Sequence, residues 1–333
     1  MTTTRRLTLA AALASTALLA ACGGGGGGST PTSSTSTPTT TASGGTLSTP
    51  NYSAGSVQLS ALQQLNTWRQ QCHFPALNEN TELDQAAANH LNYMQSNAYL
   101  GHYEVAGNPG YTGATPLARA QAQGYGFAKA SILVDEENGN WLHSYTGADY
   151  VAALASIPYH LAGLMLPTTD FGMDFGTVTM GPTATYNVPE IVTGFQGAQG
   201  TFSAAAPLTF PCAGVTGVDY ESAQQESPAP AGIDTGTNPI GTPITVIGNM
   251  GDTIVLQSAT ISDTATSTSV GPVDMLDSGN DTSGELRPNM AVVFPTSPLQ
   301  PNTSYMVQLV GTDNGATFST QFTFTTGNQG QLH

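Results

Sequence analysis

The chain is 333 residues long and carries 6 basic against 22 acidic side chains, a formal net charge of −16. So acidic a surface repels nucleic acid and anionic lipid headgroups, which excludes phosphate-binding functions. Beyond the N-terminal leader no apolar run reaches membrane-spanning length.

Arg5 and Arg6 precede an uncharged apolar run from Leu7 to Ala21, short for a membrane span and right for a secretory signal over residues 1–21. Its exit, Leu19-Ala20-Ala21-Cys22, resembles the lipobox of bacterial lipoproteins. The resemblance implies cleavage before Cys22, lipid on that residue, and an extracytoplasmic protein anchored to the membrane, the outer one in a Gram-negative host. Cleavage would remove two cations and leave four against 22 acids, net −18. Residues 22–56 are Gly, Ser, Thr and Pro with little apolar content, and predict a disordered tether with an end-to-end distance of roughly 30 Å. Cys72 and Cys212, in an oxidising compartment, are expected to pair. A loop of that length stabilises by about 4–5 kcal/mol in the chain-entropy model.

Helical periodicity starts where the tether ends. Leu62, Leu65, Trp68 and Cys72 mark one face of a helix that stops near His73-Phe74-Pro75. Glu82 and Asp84 open a second helix, with Leu83, Ala87, Leu91, Met94 and Ala98 as its apolar face. A third is expected over Pro116–Gln123, and a fourth over about Gly147–Met165 with a kink or break at Pro158. Strands are expected at Ala130–Val134, Phe171–Met180 and Glu190–Phe195. Interleaved helices and strands of this kind point to a layered α/β domain over residues 57–215.

From Asp234 onward helical periodicity is lost. Strand patterns appear at Ile244–Ile247, Ile254–Ile261, Ala291–Phe294, Tyr305–Val310 and Phe318–Thr325. The stretch LQPNTSY, Leu299–Tyr305, resembles the turn into a strand of immunoglobulin- and fibronectin-like sandwiches, whose Tyr hydrogen-bonds back to the main chain. A small all-β sandwich is therefore expected over residues 238–328, joined through a linker at 216–237.

The stretch Ile132–Trp141, ILVDEENGNW, sets Asp135, Glu136 and Glu137 in a row. Before it come NAYLGHY (Asn97–Tyr103) and Leu117-Ala118-Arg119 through Gly124-Tyr125; after it comes SIPYHLAGLML (Ser156–Leu166). In this order the pieces resemble the bacterial branch of the CAP superfamily, the SCP-like domains also called cysteine-rich secretory, antigen 5 or pathogenesis-related. The resemblance covers about residues 57–197. It implies a three-layer α-β-α sandwich whose cleft is lined by two His and two Glu and can hold a divalent metal. Carried over residue by residue, it places His102, Glu137 and His160 in that cleft as candidate ligands, with Zn²⁺ the ion suited to imidazole and carboxylate.

The pattern is incomplete. The family has its second Glu between the Glu-Asn pair and the second His, and residues 138–189 contain no Glu, so Asp149 or His143 stands in at the fourth position or the position is vacant. Ile157 and Leu161 stand where the family has Ser and Arg. Asp135 and Glu136 are expected in a solvated turn, because burying three unpaired carboxylates together costs several kcal/mol each. The spacing of His90 sets it against the core as a structural residue. His73 is expected in a loop, and His333 is a chain end.

Three functions follow as expectations. The first is a lipid-anchored binding module whose cleft holds a metal or a small, possibly lipid, ligand. The second is a metal-assisted hydrolase, peptidase-like, using His102 or His160 as base. The chain has neither a Gly-x-Ser-x-Gly elbow nor a His-Glu-x-x-His helix, so enzymatic activity is left open. The third is an envelope or adhesion protein with an inert cleft.

Overall fold

The structure is a computed structural model that describes residues 47–230, 232–330 and 332, all within one unit. The leader, Cys22, the tether up to residue 46, and His333 lie outside the described residues.

Helix α1, Val57–Gln71, starts where the Ser56 side chain accepts from Leu59 N, and it buries Ala61, Leu62, Leu65 and Trp68. Helix α2, Thr81–Asn97, is capped by Asn80 and ends at Ala98, which adopts a left-handed φ of 47°. Helix α3, Pro116–Ala122, has its Pro in the first turn behind the Thr115 cap. The helix expected over Gly147–Met165 is two: α4, Gly147–Ala155, and α5, Pro158–Leu164. Pro158 cannot donate to the preceding turn and holds Ile157 extended (φ −109°, ψ 128°), so it opens a new helix rather than bending the old one.

Four strands form the first sheet: β1 Asn78–Glu79, β2 Ile132–Asn138, β3 Asp170–Met180 and β4 Ala184–Gln196. Their order is β1-β3-β4-β2, with β1 parallel to β3 and the other pairs antiparallel. Helices cover both faces of this sheet. Leu83, Ala86 and Ala87 of α2 and Ala120 of α3 pack with Val134 and Val192 on one face. Side chains of α1, α4 and α5 join Leu133, Phe171, Met173 and Ile191 on the other. The strand expected to end at Val134 runs on through all three acids to Asn138, and β2 is an edge strand.

The remainder is β-structure: β5 Leu208–Phe210, β6 Thr216–Val218, β7 Glu221–Ser222, β8 Ile240–Gly241, β9 Ile244–Ile247, β10 Ile254–Asp263, β11 Val273–Asp277, β12 Met290–Pro295, β13 Ser304–Asp313 and β14 Ala316–Thr326. Two four-stranded sheets result, β10-β13-β14-β6 and β11-β12-β9-β5, with β7 and β8 paired separately. Tyr305 Oη accepts from Gln300 N at 2.8 Å, the corner expected from LQPNTSY.

Several boundaries differ from the sequence expectation. Residues 208–210 pair with β9, so chain expected in the α/β domain belongs to a β-sheet. The segment 216–237, expected as a linker, carries β6 and β7. Inside the expected tether, Tyr52 hydrogen-bonds Asp84 and meets Phe171 edge-on, because an aromatic with a hydroxyl can bury its ring and still satisfy its polar end. The two regions also share one apolar core. Trp68 of α1 meets Phe210 at 5.0 Å between centroids, Cys72 is disulfide-bonded to Cys212, and α5 packs on β9 and β12.

Candidate functional site

Strand alternation along β2 sends Glu136 to the α2–α3 face and Asp135 and Glu137 to the α5 face. Both Glu136 and Glu137 are 7% exposed, and Asp135 is half-buried. The expectation of a solvated turn for Asp135 and Glu136 is therefore corrected. Burial of Glu136 is made tolerable by Arg119, whose buried guanidinium bonds the Glu136 carboxylate and donates to His102 O at 3.0 Å.

Behind that pair lies a buried network. His90 Nε2 donates to Gly101 O at 2.8 Å, and its Nδ1 lies 3.0 Å from Glu104 Oε1. Glu104 also accepts from Thr112 N and Gly113 N, at 2.6 and 3.1 Å, and so holds the loop between α2 and α3 against His90. His90 thus has the structural place expected of it. Glu190, opposite Asn138 in the β2–β4 ladder, is fully buried with neither oxygen in a hydrogen bond of good geometry. Burial, and then the charge of Glu136, push the Glu190 carboxyl well above its usual value. Glu136 goes the other way. Burial opposes its ionisation, but the His102 hydrogen bond and the charges of Arg119 and His90 bring it down to about 2. His90, Glu136 and Glu190 offer ligand atoms within 4.8 Å of one another and could hold a metal ion, for which His90 would have to exchange one of its two bonds.

The open side of the site wraps around the free edge of β2. His102 Nδ1 lies 3.2 Å from Glu136 Oε1, and His160, from the first turn of α5, places Nε2 3.0 Å from Asn138 O. The two imidazole centroids are 6.1 Å apart, and Glu137 Oε2 is 3.8 Å from His160 Nε2. His102, Glu137 and His160 are thus brought together. Asp149 and His143 are not. Asp149 accepts from Thr146 N in the α4 capping box, and His143 is exposed in a loop. The second acidic neighbour of His160, beside Glu137, is Glu226, whose Oε1 lies 2.9 Å from His160 Nδ1 and accepts from Tyr159 N and His160 N at 2.8 and 3.1 Å.

These groups line a cavity of about 1450 Å³ to which the β-region contributes Glu285, Arg287 and Met290. Arg287 reaches Asp135 at 3.6 Å across its mouth. Burial and then the charges of Asp135, Glu226, Glu136 and Glu285 push the Glu137 carboxyl well above its usual value. For His102, burial favours the neutral ring, but the Glu136 hydrogen bond and the charges of Glu136 and Asp135 outweigh it and raise the pKa.

The donor chemistry tests the metal expectation. Glu137 and His102 Nε2 carry no hydrogen bond among the described residues, and both can offer lone pairs to a cation. His160 has both ring nitrogens engaged. Since a carbonyl only accepts, Nε2 carries a proton, and coordination there requires release of Asn138 O. The set fits a cation once that bond is exchanged.

Glu190 and Glu226 are not marked by any sequence pattern. Glu190 lies well past His160, outside the interval in which a second Glu is expected, within an apolar strand pattern. Glu226 lies in a Ser-, Gln- and Pro-rich stretch that reads as linker.

Residues 62–171 match the model of the Cysteine-rich secretory protein family, CAP. No curated protein matches the chain. Among solved structures, an outer surface protein from Borrelia burgdorferi aligns over 40% of this chain and 89% of its own, at 16% identity and a TM-score of 0.31, too low for the likeness to bear on function. The matched segment holds His90, His102, Arg119, Glu136, Glu137 and His160; Glu190 and Glu226 lie beyond it.

Proposed function

The chain carries a CAP-like domain, and from that premise we propose that it is an extracytoplasmic binding module whose cleft takes a divalent cation or a small cationic ligand at His102, Glu137 and His160. The observation that carries this reading is the convergence of two imidazoles, 6.1 Å apart, with Asp135, Glu136, Glu137 and Glu226 on one open cavity. Carboxylates outnumber the guanidinium groups of Arg119 and Arg287 there, so a cation gains from the field. Imidazole nitrogen beside carboxylate oxygen is the donor mixture that suits Zn²⁺. The Cys72–Cys212 disulfide supports an oxidising compartment, and a lipid on Cys22 would supply the anchor.

Calorimetric titration of the purified protein with Zn²⁺ tests the reading. Binding of one ion per chain that is lost in a His102→Ala, His160→Ala double variant supports it; no binding by the native protein refutes it. The contact of His102 Nδ1 with Glu136, with Nε2 facing the cavity, favours hydrolysis as a second reading, His102 acting as general base. Turnover of peptide or ester substrates that vanishes in His102→Ala would establish that alternative.

A further inference from the structure

The segment Gln224–Pro228 runs along the cavity wall, and Glu226 ties it across the cleft. Its upstream end is held by β7–β8 pairing, Ser222 opposite Ile240, and its downstream end by Ser283 Oγ donating to Ala229 O at 2.9 Å. Within the segment, Gln225 and the Gln224 carbonyl bond to Asp234 and Thr235 of the same loop. Among residues 224–228, Glu226 alone has a hydrogen bond to the α/β region among the described residues: two donors, His160 N and Tyr159 N, converge on a single oxygen that also lies 2.9 Å from His160 Nδ1.

That contact is strong on one side and incomplete on the other. The Glu226 side chain is 4% exposed, yet its Oε2 is buried with no hydrogen-bond partner among the described residues. Most buried polar atoms of a native fold have a hydrogen-bond partner, so the bare Oε2 leaves this contact incomplete. Glu137, on the far flank of His160, adds like-charge repulsion. None of residues 224–228 belongs to the apolar core.

We propose that residues 224–228 form a strap gating the CAP-like cleft, with Glu226 as a latch that occupies His160 in cis until a ligand displaces it. The proposal rests on the cleft being a binding site, and it adds that His160 becomes available only when the strap lifts. The experiment compares the full native chain with Glu226→Ala and Glu226→Gln. Diethyl pyrocarbonate labelling of His160 is followed by mass spectrometry, with exposed His143 as internal reference, and amide exchange is measured in parallel. His160 in Glu226→Ala should label at least about ten-fold faster, with His143 unchanged. Glu226→Gln, which keeps an oxygen for the two backbone donors, should fall between. Amides of 224–227 should exchange faster while α4 and α5 stay protected. An unchanged His160 rate in Glu226→Ala overturns the proposal, as does joint loss of protection in the strap and α5, which would make Glu226 a prop for the helix. These readouts need no ligand, so a strap that does not lift and a cleft that does not bind Zn²⁺ are told apart.

Discussion

Replacing Arg119 by Met tests whether the interior of the site is held by charge. The guanidinium is 1% exposed, pairs with Glu136, donates to His102 O at 3.0 Å and stands 3.9 Å from Glu104. Met is close in length and leaves little cavity, so the loss is electrostatic. Removing one partner of a buried pair costs about 3–5 kcal/mol, because the survivor is left charged in a poor solvent. The carbonyl of His102 loses a donor as well, adding about 1 kcal/mol. Urea unfolding at pH 7, followed by fluorescence of the buried Trp68 and Trp141, should show a deficit of about 4–6 kcal/mol. The pH dependence carries a sign. Glu136 is depressed in the native fold, from a usual 4.5 to about 2, so the stability it contributes is present above 4.5 and lost as pH falls through about 2. The native protein and the variant should therefore converge over that window. Adding Glu136→Gln to Arg119→Met should recover most of the loss, since a neutral pair leaves no stranded charge. A deficit under about 1 kcal/mol, or a double variant no better than the single, would refute the account.

Three further outcomes are expected. Cys72→Ser with Cys212→Ser opens a link between residues 140 apart and should lower stability by about 4–5 kcal/mol in chemical denaturation, from the chain-entropy model; a loss below about 1 kcal/mol would contradict it. Gly163→Ala improves helix propensity by about 1 kcal/mol, yet its Cβ would overlap Glu137 Oε1 and lie 2.6 Å from Asp135 Oδ2, so a net loss of about 1–2 kcal/mol is expected. Glu137→Ala in the same chain should relieve most of that loss, leaving the approach to Asp135, and persistence of the full loss would show that the Glu137 carboxylate is not the main obstacle. Asp219 is 7% exposed, and its carboxyl is pushed up from 3.8 to about 7 by burial and then by the charges of Asp149 and Glu221. The stability tied to its protonated form is complete below 3.8 and is lost as pH rises through about 7, by about 4 kcal/mol in all. Thermal melts of Asp219→Asn should show a flatter profile across this window than the native protein; an identical slope would remove Asp219 as the cause.

Much of the scaffold was legible along the chain. The spacing of Leu62, Leu65 and Trp68 marked α1, Glu82 and Asp84 marked the start of α2, and Pro158 marked the break between α4 and α5. Tyr305 announced its own corner. The two thiols paired as the compartment suggested. In the site, the order of the His102, Glu137 and His160 motifs was enough to bring those residues together, though not to say which protons they hold.

What the sequence determined by itself rests on short-range physics: periodicity, capping, the missing N–H of proline, the chemistry of a thiol in an oxidising compartment. What only the tertiary structure decided is which carboxylates are buried and which groups answer them. Glu136 reads as a surface acid until Arg119 is packed over it, Glu190 reads as out of place in an apolar strand until it faces Glu136, and Glu226 reads as linker until β7–β8 pairing carries it to His160. A charge is tolerated or not according to partners tens of residues away, and no local pattern records where those partners end up.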